Sequence, residues 1–165
     1  MIRALIFTIL LSLSFNAESQ NWQIRGIQHI NFYPEGADNR LEGLELSGFY
    51  NYPLNEKTSI HGGLVWNSNS WANHILIKLG VEFEIKKYST WSFSTQLEVG
   101  NGLALFTPSL LYTFDMQGVL YANYHTGKDN IWSIGLGLQN IVTPAYEKYG
   151  IYSTANLPIS IRYRF

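Results

Sequence analysis

Residues Asn156 to Phe165 read NLPISIRYRF. Leu157, Ile159, Ile161, Tyr163 and Phe165 fall on one face of an extended strand, and Pro158, Ser160, Arg162 and Arg164 on the other, because side chains alternate across a strand with period two. One face is wholly apolar and finishes in two aromatics; the opposite face is polar and carries two cations. A soluble protein seldom presents an aromatic strand of this kind, since a frayed apolar edge templates aggregation. A strand with lipid on one side and a polar lumen on the other has this composition.

The same alternation recurs upstream. Trp22–Tyr33 sets Trp22, Ile24 and Ile30 against Arg25, His29 and Asn31. Leu41–Leu54 sets Leu44, Leu46, Tyr50 and Tyr52 against Glu45, Ser47 and Asn51, and Thr58–Asn67 sets Ile60, Leu64 and Trp66 against Ser59, His61 and Asn67. His74–Ile85 is the cleanest: Ile75, Ile77, Leu79, Val81, Phe83 and Ile85 oppose His74, Lys78, Gly80, Glu82 and Glu84. Trp91–Asn101 and Ile131–Asn140 follow suit. Phe106–Asp115 is weakened by Pro108, which fits only a strand start or edge, and Val119–Thr126 is apolar on both faces at first. No segment sustains a 3.6-residue period, so helix is the poorer reading throughout.

Two sets of connections alternate between these segments. Asn55–Lys57, Lys86–Thr90 and Met116–Gly118 are tight; Pro34–Arg40, Ser68–Asn73, Asn101–Leu105 and Gly127–Asn130 are on the whole longer and richer in Gly and Asn. Outer-membrane barrels have short periplasmic turns and longer extracellular loops, so the first set is expected in the periplasm, together with both termini. The segments number nine, whereas single-chain bacterial barrels have even strand numbers. A poorly patterned strand within Val142–Ala155, after a turn near Ile141–Pro144, gives ten. Dropping the first segment, or merging or dropping the Pro108 region, gives eight. The expected fold is all-β, a closed antiparallel up-and-down transmembrane barrel, with ten strands favoured over eight. A soluble β-sandwich also alternates, but its strands average about 5–6 residues, and the aromatics here cluster near segment ends as interfacial girdles would.

The start of the chain agrees with export. Met1, Ile2 and Arg3 precede an apolar run over Ala4–Phe15, and Ala17-Glu18-Ser19 supplies the small residues of a cleavage site. Residues 1–19 read as a secretory signal peptide, cleaved to leave 20–165 as one barrel domain. Cys is absent, which excludes a disulfide framework, a thiol nucleophile and a lipid-modified cysteine. The net charge of −1 gives no indication of nucleic-acid binding. The 14 Gly, with 5 Trp, 11 Tyr and 9 Phe, suit an all-β chain.

On these residues the chain resembles the small bacterial outer-membrane β-barrel proteins. The pattern Leu157/Ile159/Ile161/Tyr163/Phe165 is similar to the C-terminal signal read by the barrel-assembly machinery, which would make that machinery a partner. The resemblance implies residence in the outer membrane of a Gram-negative cell, in contact with lipid and lipopolysaccharide. It says little about activity, because a fold does not fix a function.

The predicted inward face collects Arg25, His29, Glu45, His61, Lys78, Glu82, Glu84, Glu98, Gln139, Arg162 and Arg164. Its expected role is a paired network filling a narrow lumen, since buried charges are tolerable only when paired. Enzymatic alternatives carry less. Outer-membrane lipid A deacylases pair a His with a Ser two residues later, whereas His125 is followed by Thr126 and Gly127. Ser59 and His61 share a face, but i, i+2 spacing puts them about 7 Å apart. His29, His61, His74 and His125 lie on four segments with no ligand spacing, so no metal or cofactor is expected. The leading expectation is a non-enzymatic structural or accessory subunit docked on a larger outer-membrane complex. The alternatives are a lipid-modifying enzyme using His125 or His61, and a narrow channel for small solutes.

Overall fold

Eight antiparallel strands close on themselves in chain order. The structure, a computed structural model, describes residues 21–31, 41–69, 72–106, 109–126, 130–146 and 150–165. The expected signal peptide, the Pro34–Arg40 loop and Pro108 lie outside these residues. The strands are β1 (Trp22–Asn31), β2 (Leu41–Pro53), β3 (Thr58–Asn69), β4 (Asn73–Lys87), β5 (Trp91–Phe106), β6 (Ser109–His125), β7 (Ile131–Tyr146) and β8 (Gly150–Arg164). Each pairs with its neighbours, and β8 returns to β1. The quoted C-terminal segment makes that closing seam, with Ile24 opposite Tyr163, Gly26 opposite Ile161 and Gln28 opposite Ile159. Closure leaves no strand edge. The mouth where Trp22 and Phe165 exchange backbone hydrogen bonds is called here the near mouth, and the opposite one the far mouth.

The strand number is eight and not the favoured ten, because segments six and seven are one strand. Asp115-Met116-Gln117-Gly118 has the residue types of a turn, yet it runs straight through β6, with Asp115 and Gln117 buried and Met116 exposed. Burial of the two polar groups against lumen partners outweighs the local preference for a bend. The stretch Val142–Ala155 contributes no extra strand; it lengthens β7 and β8, and Ile141–Pro144 lies within β7 and forms no turn. Asn101–Leu105 is likewise part of β5. The recount puts the end of β6 at His125 and the start of β7 at Ile131 at the near mouth, the side opposite to the one expected for the connection between them. There Thr126 N–H donates to the Asn130 carbonyl at 3.0 Å.

Burial is inverted relative to a soluble domain. Along β4 the outward residues Ile75, Ile77 and Leu79 are exposed, while His74, Leu76, Lys78 and Glu82 are buried. Leu64 and Ile134 are 65% and 67% exposed on the outer wall, while Arg25, Glu45 and Lys78 are 0% exposed inside. The interior also holds a small apolar layer, Phe49, Val65 and Leu76. Pro158 interrupts one ladder. Lacking an N–H, it still sits opposite His29 of β1, but pairing with β7 skips from Leu136–Ile159 to Gln139–Asn156.

Candidate functional site: the lumen and its near mouth

The lumen is crossed by two struts between strands on opposite sides of the barrel. In a closed ring of eight, β1 faces β5 and β8 faces β4. Arg25 on β1 donates from Nη1 and Nη2 to the two carboxylate oxygens of Glu98 on β5, at 2.7 and 2.8 Å. Arg162 on β8 reaches Glu82 on β4 in the same two-pronged way, at 3.0 and 2.9 Å. Such planar pairs are the strongest side-chain hydrogen bonds a protein makes. Both guanidiniums also lie over aromatic rings, Arg25 4.7 Å from the Phe49 centroid and Arg162 3.8 Å from that of Tyr121.

A third cation ties the remaining walls together. Lys78 Nζ stands 2.6 Å from Asp115 and 3.1 Å from Glu45, and donates to Gln117 at 2.9 Å. Gln139 on β7 donates to Asp115 at 2.9 Å. Glu45 also accepts from Arg25 Nη2 at 3.0 Å, which joins this group to the first strut. Arg164 pairs with Glu82 at the near end. The network thus sets the cations Arg25, Lys78, Arg162 and Arg164 against the carboxylates Glu45, Glu82, Glu98 and Asp115. Equal numbers of each sign satisfy the condition under which charges can be buried.

Glycines make the struts fit. A Cβ on Gly80 would lie 2.4 Å from His61 Nε2, so the imidazole lies against the wall there and comes within 2.9 Å of Glu98. A Cβ on Gly135 would lie 2.5 Å from the Tyr121 ring, which crosses that position to bring its hydroxyl 3.0 Å from Ser160 Oγ and presents its face to Arg162.

Every residue expected in the charge network faces the lumen, and all but Glu84 and Arg164 are fully buried; these two sit half-buried toward the near mouth. Gln117 escapes sequence reasoning because Met116–Gly118 reads as a turn, and Asp115 because it ends the weakly patterned segment before it. Phe49, Leu76 and Tyr121 escaped it because an inward apolar residue breaks a polar-inside rule. Their signal was present all the same, since each lies an even number of residues from a polar inward neighbour. Of the two histidines considered as bases, His61 is committed to Glu98, and His125 sits at the near-mouth rim. Within the terminal pattern Ile159 and Ile161 are exposed on the outer wall, and Leu157, Tyr163 and Phe165 are half-buried.

The near mouth opens into a polar vestibule of about 160 Å³ floored by Glu82, Arg162 and Arg164. Around its outside runs a belt of aromatics: Trp22 against Tyr50, Trp91 against Tyr124, and Trp132 against Tyr163, with ring centroids 5.4, 4.8 and 4.6 Å apart. Aromatic rings of this amphipathic kind gather at the level of lipid headgroups.

A closed antiparallel barrel with an apolar outer wall, an aromatic belt and an interior of ion-paired charges is a transmembrane β-barrel. Among solved structures the chain is similar to one described as "De novo design of transmembrane beta-barrels", at 15% identity and a TM-score of 0.42, covering 90% of this chain and 98% of that one. It is also similar to a KdgM porin, at 12% identity and a TM-score of 0.32, covering 88% and 99%. No protein-family model matches the chain, and no curated protein matches it.

Proposed function

We propose that this protein is an integral outer-membrane barrel closed to solute flow, acting as a structural or accessory subunit of a larger membrane assembly. One observation carries the reading. The two diametric struts and the Lys78 group occupy the cross-section so fully that Arg25, Lys78 and Glu45 have 0% exposure even to a water-sized sphere. A barrel of eight strands is just wide enough for side chains to fill, and these side chains fill it.

The surfaces left for partners are the outer wall and the two mouths. The wall carries an apolar hollow of about 810 Å³ lined by Leu79, Leu97, Val99, Met116, Gly118 and Leu138. The chain's resemblance to outer-membrane barrels supports that location, with the near mouth on the periplasmic side. Residence there places lipid and lipopolysaccharide against the wall and makes the barrel-assembly machinery a partner during insertion.

Planar-bilayer recording tests closure. The purified barrel is expected to show no steps above the lipid baseline, and regular unitary steps would favour the narrow-channel reading. Co-purification in mild detergent tests the subunit role, and a strictly monomeric particle would count against it.

A further inference from the structure

The near-mouth vestibule contains a serine–histidine contact that the struts do not use. Ser92 faces the lumen on β5, directly opposite Asn123 on β6. His125, two residues further along β6, points inward diagonally from Ser92, and its Nε2 lies 3.0 Å from Ser92 Oγ. Asn123 Nδ2 donates to the same hydroxyl at 3.2 Å. A hydroxyl has one proton and two lone pairs. With one lone pair taken by the Asn123 amide, the hydroxyl keeps its proton to donate to His125 Nε2 in the tautomer that carries hydrogen on Nδ1. Asn123 is itself fixed, because its Oδ1 accepts from Arg162 at 2.9 Å.

We propose that Ser92 and His125 form a nucleophile–base pair that hydrolyses short-chain carboxylic esters entering the near mouth from water. A hydroxyl within hydrogen-bond reach of an imidazole is the core of an activated serine; the third group, Asn123, orients the hydroxyl and not the base. Both side chains line the vestibule, His125 half-buried at its rim and Ser92 deeper, with 2% exposure. Arg164 lines the same cavity, where it is paired with Glu82.

The size and position of the cavity select the substrate. About 160 Å³ accepts an acetyl or propionyl group and not a long acyl chain. Trp91 and Tyr124, the neighbours of these two residues in sequence, face the lipid interface on the other side of the wall. The pair therefore sits at headgroup depth but on the aqueous side of the barrel, where membrane-embedded acyl chains do not enter.

The reaction balances with water as the only co-reactant. Ser92 Oγ attacks the ester carbonyl while its proton passes to His125 Nε2. The tetrahedral intermediate collapses with cleavage of the ester C–O bond, and the leaving alcohol takes the proton from His125. Water, deprotonated by His125, then attacks the acyl-serine, releasing the carboxylic acid and restoring the serine hydroxyl.

The test uses the intact barrel in detergent with a small alkyl fluorophosphonate, followed by peptide mapping, and with p-nitrophenyl acetate as substrate. The phosphonyl adduct is expected on Ser92 and not on Ser59, an unactivated serine lining the same vestibule. General bases contribute about 10²–10⁴-fold, so His125→Gln should slow labelling and ester turnover by more than about tenfold while heat-modifiable gel migration is retained. Absence of an adduct on Ser92, labelling no faster than at Ser59, or a slowing below about tenfold in folded His125→Gln overturns the proposal. The adduct map needs no variant, so a misfolded mutant does not rescue the idea. Conductance is unaffected by either result, so this test and that of the closed lumen fail separately.

Discussion

Replacing Arg25 by Met strips the first strut of its cation while keeping most of its volume. Glu98 loses two charge-assisted hydrogen bonds and Glu45 loses one, and all three lie where exposure is zero or a few per cent. Breaking one partner of a buried pair costs about 3–5 kcal/mol, because a charge is left uncompensated. Lys78 softens this for Glu45, which it contacts at 3.1 Å, but lies 3.9 Å from Glu98. The expected loss is therefore about 3 kcal/mol or more. At a urea dependence of about 2 kcal/mol per molar, the unfolding midpoint in lipid vesicles should fall by roughly 1.5 M. Tryptophan fluorescence can follow it, since Trp22, Trp66, Trp91 and Trp132 report from the wall. Adding Glu98→Gln to Arg25→Met should recover about half of the loss or more, because the orphaned charge is then gone. A loss below about 1 kcal/mol for Arg25→Met would refute the reasoning, since the strut would then behave as a solvated surface pair.

Further expectations follow from the wall and the glycines. Gly102→Ala places a Cβ 2.0 Å from the Ile75 carbonyl oxygen, a backbone clash no rotamer relieves, whereas Gly118→Ala meets only Leu97 Cδ2 at 3.3 Å. The first should lower the folded yield on heat-modifiable gels severely and the second hardly at all. Leu79→Arg on the lipid face should cost about 2–4 kcal/mol in vesicle unfolding if Leu79 lies near mid-bilayer, as its position on β4 indicates, and Tyr124→Arg in the interfacial belt about 0–1. Variants retaining only Trp22, Trp91 or Trp132 should be quenched most by lipids brominated near the headgroup, and strongest quenching by bromine near the chain ends would place the belt wrongly.

Much of this fold was legible because one rule, alternation with an apolar outside, operates on every strand. Arg25, Glu45, Lys78, Glu82, Glu98 and Arg162 could all be assigned inward from parity alone. The strand count was not legible in the same way. Asp115-Met116-Gln117-Gly118 offers turn chemistry locally, and only the buried partners of Asp115 and Gln117, which come from β4 and β7, show that the chain stays extended. The Ser92–His125 contact was hidden for a related reason. Spacing compares a histidine only with serines on its own strand, while the partner of His125 comes from the next strand through a register that spacing does not reveal. The slots at Gly80 and Gly135 likewise need the identity of the ring lying across them.

The closing seam has a consequence for how the barrel assembles. Arg25 and Arg162 stand directly opposite each other across β1 and β8, and like charges facing across a ladder repel. Arg25 has one carboxylate on the neighbouring strand, Glu45 of β2, but the two-pronged partners come from the opposite wall: Glu98 is on β5 and Glu82 on β4, separated from their arginines by 73 and 80 residues. A flat or half-rolled sheet holds the two guanidiniums apart from both. The ladder that joins the most distant parts of the chain and bears the largest loop-closure cost is thus compensated only in part, through Glu45, until the far wall has curved round to meet it. Premature zipping of the two end strands is penalised, and zipping around a completed lumen is rewarded, so the struts act as a proofreading step on ring closure as well as a plug in the finished barrel.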